Sequence, residues 1–110
     1  MKHYYLLAIN NGHIKSIIKL ANYYYKIEKN YDEAKQYFIL GLSLNSNSKK
    51  LFYKLGHYYQ YIEHNYIKME ENYLLAINKG CVKAMYNLGV YYESIETDYK
   101  MYTLKKKIRS

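Results

Sequence analysis

The sequence predicts an all-α fold: a right-handed α-solenoid of antiparallel helix pairs, with about seven helices in one domain spanning residues 1–110. Three observations carry this reading. A block of sequence returns at intervals of 33 and 35 residues, a period at which small helical units stack into arrays. Within each unit apolar residues recur at helical spacing. The chain has no proline, so no helix is sterically interrupted, and 50% of its residues are hydrophobic, enough for a packed core.

The repeat is visible in three elements that keep one phase. Tyr5-Leu6-Leu7-Ala8-Ile9-Asn10-Asn11-Gly12 returns as Tyr73-Leu74-Leu75-Ala76-Ile77-Asn78-Lys79-Gly80, with a diverged copy from Phe38 to Asn45 between them. Leu20-Ala21-Asn22-Tyr23-Tyr24 matches Leu55-Gly56-His57-Tyr58-Tyr59 and Leu88-Gly89-Val90-Tyr91-Tyr92. Ile27 to Tyr31 corresponds to Ile62 to Tyr66 and Ile95 to Tyr99. The two-residue difference in period falls in the connection Asn45-Ser46-Asn47-Ser48.

Each unit reads as two helices, A and B. The A helices carry the stripes Ile17/Leu20/Tyr24, Phe52/Leu55/Tyr59 and Met85/Leu88/Tyr92. A small residue follows each leucine (Ala21, Gly56, Gly89), and close approach of a neighbouring helix is expected to offset the roughly 1 kcal/mol that glycine costs inside a helix. The B helices start after Asn30, Asn65 and Asp98, all good N-cap residues, and Asn30 with Glu33 resembles a capping box. They end at Gly12, Asn45 and Gly80, which suit a left-handed C-terminal turn. The expected helices therefore lie near 2–10, 14–28, 31–44, 48–63, 66–78, 82–95 and 98–108: a lone N-terminal B helix, then A/B units near 14–45, 48–80 and 82–108.

These residues resemble the tetratricopeptide repeat. Asn30-Tyr31-Asp32-Glu33-Ala34 opens a B helix with Tyr-x-Glu-Ala, and Phe52-Tyr53-Lys54-Leu55-Gly56-His57-Tyr58-Tyr59 fits the aromatic-x2-Leu-Gly-x2-Tyr of an A helix. Ala76 to Tyr92 is similar to the related Sel-type repeats, with Ala76, Gly80, Ala84, Leu88, Gly89 and Tyr92 at the family spacing. The likeness covers nearly the whole chain. It departs in lacking the proline after helix B, in replacing the Gly-rich Sel turn by Ile27-Glu28-Lys29, Ile62-Glu63-His64 and Ile95-Glu96-Thr97, and in placing Tyr102 where the last B helix should have alanine. The resemblance implies a protein–protein interaction module, an adaptor or scaffold that binds peptides or protein surfaces in a concave groove.

The residues suggest what that groove would take. The formal net charge is +8, nearly all of it from lysine, which permits acidic proteins, nucleic acid or anionic membrane as partners. Lys15, Lys50 and Lys83 occupy equivalent positions early in the A helices; Lys19 and Lys54 follow one turn later, with Asn87 in the third unit. Asn22 and His57 continue that face, and Tyr53 and Tyr86 flank it. Stacked A helices would join these residues into a basic groove for an acidic peptide or protein surface. Some members of the family hold a carboxylate in a Lys/Asn/Arg clamp; Asn22 and Lys83 match two of its positions, whereas Ile18, Lys54 and Asn87 do not match the others. Two other readings stand beside this one. Helical repeats of this length also include single-stranded RNA readers. The apolar residues 4–9, with no helix before them, could stack on a partner or a second copy. Lys105, Lys106, Lys107 and Arg109 suit a polar capping helix.

Catalysis is not expected. His3, His13, His57 and His64 show no metal-ligand spacing among themselves or with Cys81, no Gly-rich phosphate loop is present, and no catalytic constellation can be built, so neither cofactor nor metal is implied. A single cysteine and the lack of a long apolar run favour a reducing, cytoplasmic location with no membrane span. The abundance of Tyr (18), Lys, Ile and Asn reflects AT-rich coding, so many tyrosines are expected to be plain packing residues.

Overall fold

The structure, a computed structural model, describes residues 2–10 and 13–109. The described chain is all-helical, with six helices: α1 (Lys2–Asn10), α2 (Ile14–Tyr23), α3 (Tyr31–Leu44), α4 (Lys49–Tyr58), α5 (Tyr66–Asn78) and α6 (Val82–Arg109). Helices α2 and α4 each run on into a π-helical segment, Tyr24–Glu28 and Tyr59–Glu63. Packing runs chiefly between helices adjacent in sequence, and α4 also touches α6. No helix among the described residues is long and apolar enough to cross a membrane.

The helix starts follow from side-chain capping. Asn30 accepts from the Glu33 amide at 3.3 Å, Ser48 from the Leu51 amide at 3.2 Å and Asn65 from the Lys68 amide at 3.1 Å, each satisfying a donor that the first turn leaves open. The capping box expected at Asn30 is only half formed, because the Asn30 amide donates instead to the Tyr24 carbonyl at 2.8 Å. At the other ends, Gly80 takes the left-handed conformation (φ +88°) as expected. Asn45 does not: it is extended (φ −143°), and its side chain accepts from the Asn47 amide at 3.1 Å in a local turn. The turn expected at Gly12 lies outside the described residues.

The first two units turn from helix A to helix B by the same device. After the π-segment, Lys29 (φ 53°) and His64 (φ 54°) adopt the left-handed region, and the amides of Asn30 and Asn65 donate back to Tyr24 and Tyr59. An ion pair clips each turn to the preceding B-type helix: Lys2 to Glu28 at 3.6 Å and Lys35 to Glu63 at 3.0 Å. In each case the same lysine lies over a tyrosine at the repeat-equivalent position, Tyr24 or Tyr59.

The third unit is different, and here the structure corrects the expectation of a seventh helix. No turn forms at Ile95-Glu96-Thr97; Asp98 caps nothing and lies inside α6, which runs unbroken for 28 residues, about 42 Å. Thr97 stands where Lys29 and His64 stand, and a β-branched residue resists positive φ more than either. Glu96 pairs with Lys100 one turn on, at 3.0 Å, inside the same helix. The result is an elongated molecule of 65 × 29 × 17 Å with a radius of gyration of 17.5 Å, against about 13 Å for a compact chain of this length. If Thr97 is what holds α6 straight, Thr97→Gly lets residues 98–109 turn back. Solution X-ray scattering should then show a clearly smaller radius of gyration than wild type; an unchanged radius would show that another feature straightens the helix.

The core is built from repeat-equivalent positions. Ser16, Leu51 and Ala84 are buried, as are Leu20, Leu55 and Leu88. Tyr24 and Tyr59 are buried at the ends of their A helices, and Phe38 and Tyr73 are buried on the B helices. Gly56 allows the closest approach: an added Cβ would lie 2.4 Å from the Tyr73 ring. In the third unit Met85 and Tyr92 are each 46% exposed and nothing approaches Gly89. Both findings correct the expected core stripe and close contact there. The cause is the straight α6, whose C-terminal half would otherwise cover this face.

Candidate functional site

Two adjoining cavities lie along the A helices. The larger, about 480 Å³, is lined by Asn22 from α2, by Lys49, Lys50, Tyr53 and Lys54 from α4, and by the α5–α6 connection with Lys83. The smaller, about 230 Å³, is lined by Tyr25 and Lys26 at the end of α2, Phe38 of α3, Tyr53, Lys54 and His57 of α4, and Lys83 of α6. Tyr53, Lys54 and Lys83 line both. Among the described residues no carboxylate lines either cavity.

Local structure sets the charge of this region. Lys50 and Lys83 sit in the first turns of α4 and α6, and neither helix has an acidic residue there. The helix dipoles therefore add positive potential to the lysines instead of being neutralised. Lys54 is half-buried, and its ammonium is held below the usual lysine range by burial, then by Lys26, Lys83 and Lys50. His57 is likewise pushed down, first by burial and then by Lys54 and Lys26.

A polar and aromatic scaffold positions these groups. The Tyr25 hydroxyl and His57 Nδ1 share a hydrogen bond of 2.8 Å, and burial raises the Tyr25 phenol to about 12, so it remains protonated at neutral pH. Tyr73 donates to Gln60 Oε1 at 2.7 Å and accepts from Asn87 Nδ2 at 3.4 Å; the same Asn87 nitrogen lies 3.3 Å from the Tyr53 hydroxyl, to which it donates. Rings of Tyr53 and Tyr61 flank His57, with centroids 6.2 and 4.5 Å away. Asn22 Oδ1 is buried with no hydrogen-bond partner.

Of the residues singled out in the sequence, Asn22, Lys50, Tyr53, Lys54, His57 and Lys83 gather at the cavities. Asn87 is a supporting residue behind Tyr53. Lys15 and Lys19 are exposed on α2 and line neither cavity, and Tyr86, 72% exposed, lines neither as well. The reason is stagger. Lys50 and Lys83 share the larger cavity without Lys15, and at the smaller one the end of α2 faces the middle of α4, which faces the start of α6. Lys26, Lys54 and Lys83 therefore converge, and they are not repeat-equivalents. The repeat period carries no trace of this diagonal, which comes from how the helices pack. Tyr25, Lys26, Phe38, Lys49 and Val82 were missed; Lys26 could have been found one turn beyond Asn22 on the same helix face.

Among the described residues no three His, Cys, Asp or Glu side chains gather to hold a metal ion. Cys81 is buried at the start of α6. Comparison of the sequence with protein-family models and with curated proteins gives no match.

Proposed function

We propose that the chain is a tetratricopeptide-like repeat protein, close to the Sel-type subfamily, whose helix pairs stack as a right-handed α-solenoid and which serves as an adaptor, not an enzyme. The A helices bind an acidic peptide or protein surface, in keeping with a cytoplasmic role. One observation carries this reading: five lysines, Lys26, Lys49, Lys50, Lys54 and Lys83, surround two joined, half-enclosed cavities that contain no carboxylate. Solvated lysines on an ordinary surface are free to diverge, whereas Lys54 is half-buried among like charges and is destabilised until an anion arrives. Tyr53 and Val82 supply apolar surface for flanking residues of the ligand.

The test is fluorescence polarisation with an Asp/Glu-rich 12-residue peptide, on nuclease-treated protein. Binding is expected to weaken with salt, and Lys50→Glu/Lys54→Glu/Lys83→Glu should reduce affinity at least about tenfold. Equal affinity for wild type and the triple variant contradicts the groove reading. Tighter binding of single-stranded RNA than of the peptide would transfer the lysines to a nucleic-acid interface.

A second reading, self-association, draws support from α6. Tyr92, Ile95, Tyr99 and Tyr102 are exposed on one uncovered helix, beside the open face at Gly89. Oligomers that grow with protein concentration and need no ligand, seen by sedimentation, would support it.

A further inference from the structure

We infer that the smaller cavity, where Lys26, Lys54 and Lys83 converge beside His57, is the site for the phosphate group of a phosphorylated peptide side chain. The inference rests on the reading of the groove as a peptide site and specifies which group it selects.

Charge is the first argument. Three lysines from three alternate helices, α2, α4 and α6, line one cavity of about 230 Å³ with no carboxylate among the described residues of its wall. One glutamate or aspartate side chain brings a single negative charge. A phosphate monoester brings about −1.5 to −2 at neutral pH and three acceptor oxygens. It therefore matches more of the uncompensated charge and can accept from all three ammonium groups.

Donor geometry is the second. A carboxylate is best held by the planar fork of arginine, and among the described residues no arginine lines either cavity. Ammonium groups are compact donors without a preferred plane, and three of them arriving from α2, α4 and α6 suit a tetrahedral oxyanion. His57 adds a fourth contact. In the tautomer in which Nδ1 accepts from Tyr25, the neutral ring carries its proton on Nε2 and can donate from there. Burial and the surrounding like charges also depress Lys54, a cost that a dianion relieves more fully than a monoanion.

The setting favours a peptide as the carrier of the phosphate. The cationic groups cluster at two joined cavities, with Lys15 and Lys19 outside both, and so do not form the extended track that a nucleic-acid backbone follows. The adjoining larger cavity offers Asn22, whose Oδ1 lacks a hydrogen-bond partner, together with Tyr53 and Val82. A backbone amide and an apolar side chain next to the phosphorylated residue fit that wall.

The experiment is an NMR titration at fixed pH and ionic strength with four probes. They are a peptide of otherwise uncharged residues carrying one phosphoserine, the same peptide with glutamate in its place, an oligoglutamate peptide, and oligouridylate. The phosphopeptide should bind at least about tenfold tighter than its glutamate form and shift the resonances of His57, Tyr53 and Lys83. Lys54→Met keeps the aliphatic stem and removes the buried charge, so it should fold at least as stably as wild type and still lose at least fivefold in phosphopeptide affinity. Lys15→Met, with the same change in net charge, should stay within twofold. Three outcomes overturn the inference: equal binding of the phosphoserine and glutamate peptides, no saturable shift with phosphopeptide at millimolar concentration, or tighter binding of oligouridylate. Oligoglutamate separates the two levels. If it binds through the lysines while phosphoserine gains nothing, the groove reading stands and the phosphate site falls; if no peptide binds at all, both fall.

Discussion

Tyr73→Ala is expected to cost about 3–5 kcal/mol of folding stability, the range for removing a large aromatic side chain from a core. Tyr73 is fully buried. Its ring lies against Gly56, and its hydroxyl donates to Gln60 and accepts from Asn87, so α4, α5 and α6 all depend on it. A small domain has about 5–15 kcal/mol in total, and the variant should therefore unfold at far lower urea. Tyr73→Phe keeps the packing and should cost only about 1 kcal/mol, the net worth of its hydrogen bonds. Urea denaturation followed by circular dichroism measures both. A Tyr73→Ala cost below 1 kcal/mol would mean that the contact between α4 and α5 is not the centre of the core.

Gly56→Ala and Gly89→Ala should move stability in opposite directions, although both glycines follow a leucine at equivalent places in the repeat. At Gly56 a methyl group would lie 2.4 Å from Cδ1 and 2.5 Å from Cε1 of Tyr73. That ring is buried and cannot swing aside, so overpacking of about 1–3 kcal/mol outweighs the roughly 1 kcal/mol that alanine gains in a helix. At Gly89 nothing lies within 4 Å of the added atom, and only the helix gain of about 0.5–1 kcal/mol remains. Chemical denaturation of the two variants reads the signs directly. A destabilising Gly89→Ala would show that something packs on α6 at that point.

The contrast marks how far the sequence speaks. Capping asparagines, a left-handed Gly80 and buried leucines at one period were readable because each depends on a residue and its near neighbours. The same signals misled in the third unit. Ile95-Glu96-Thr97 kept the phase of the earlier turns, but a turn also needs a residue that accepts positive φ and an ion pair reaching across from another helix. Thr97 does not provide the first, and Glu96 turns to Lys100 instead. Asn45 suits a left-handed terminus by residue type, but its side chain serves the next turn equally well.

The site was legible in kind and not in register. The lysine-rich face of the A helices could be read, and six of its residues, Asn22 and Lys54 among them, do line the cavities. Repeat equivalence adds Lys15 and Lys19 to that face, as though equivalent residues aligned across every pair of stacked helices. The stagger replaces them by Lys26, on the π-segment at the end of α2. Tyr25 and Phe38 enter for the same reason: only packing brings the end of α2 and the middle of α3 beside His57.

The most direct test is to map an Asp/Glu-rich peptide onto the protein by amide chemical-shift perturbation. The account predicts changes centred on Asn22, Lys26, Tyr53, Lys54, His57 and Lys83, with Lys15, Lys19 and the outer face of α5 around Leu74 and Leu75 unaffected. Perturbations centred on α5, or spread evenly over every lysine, would contradict it.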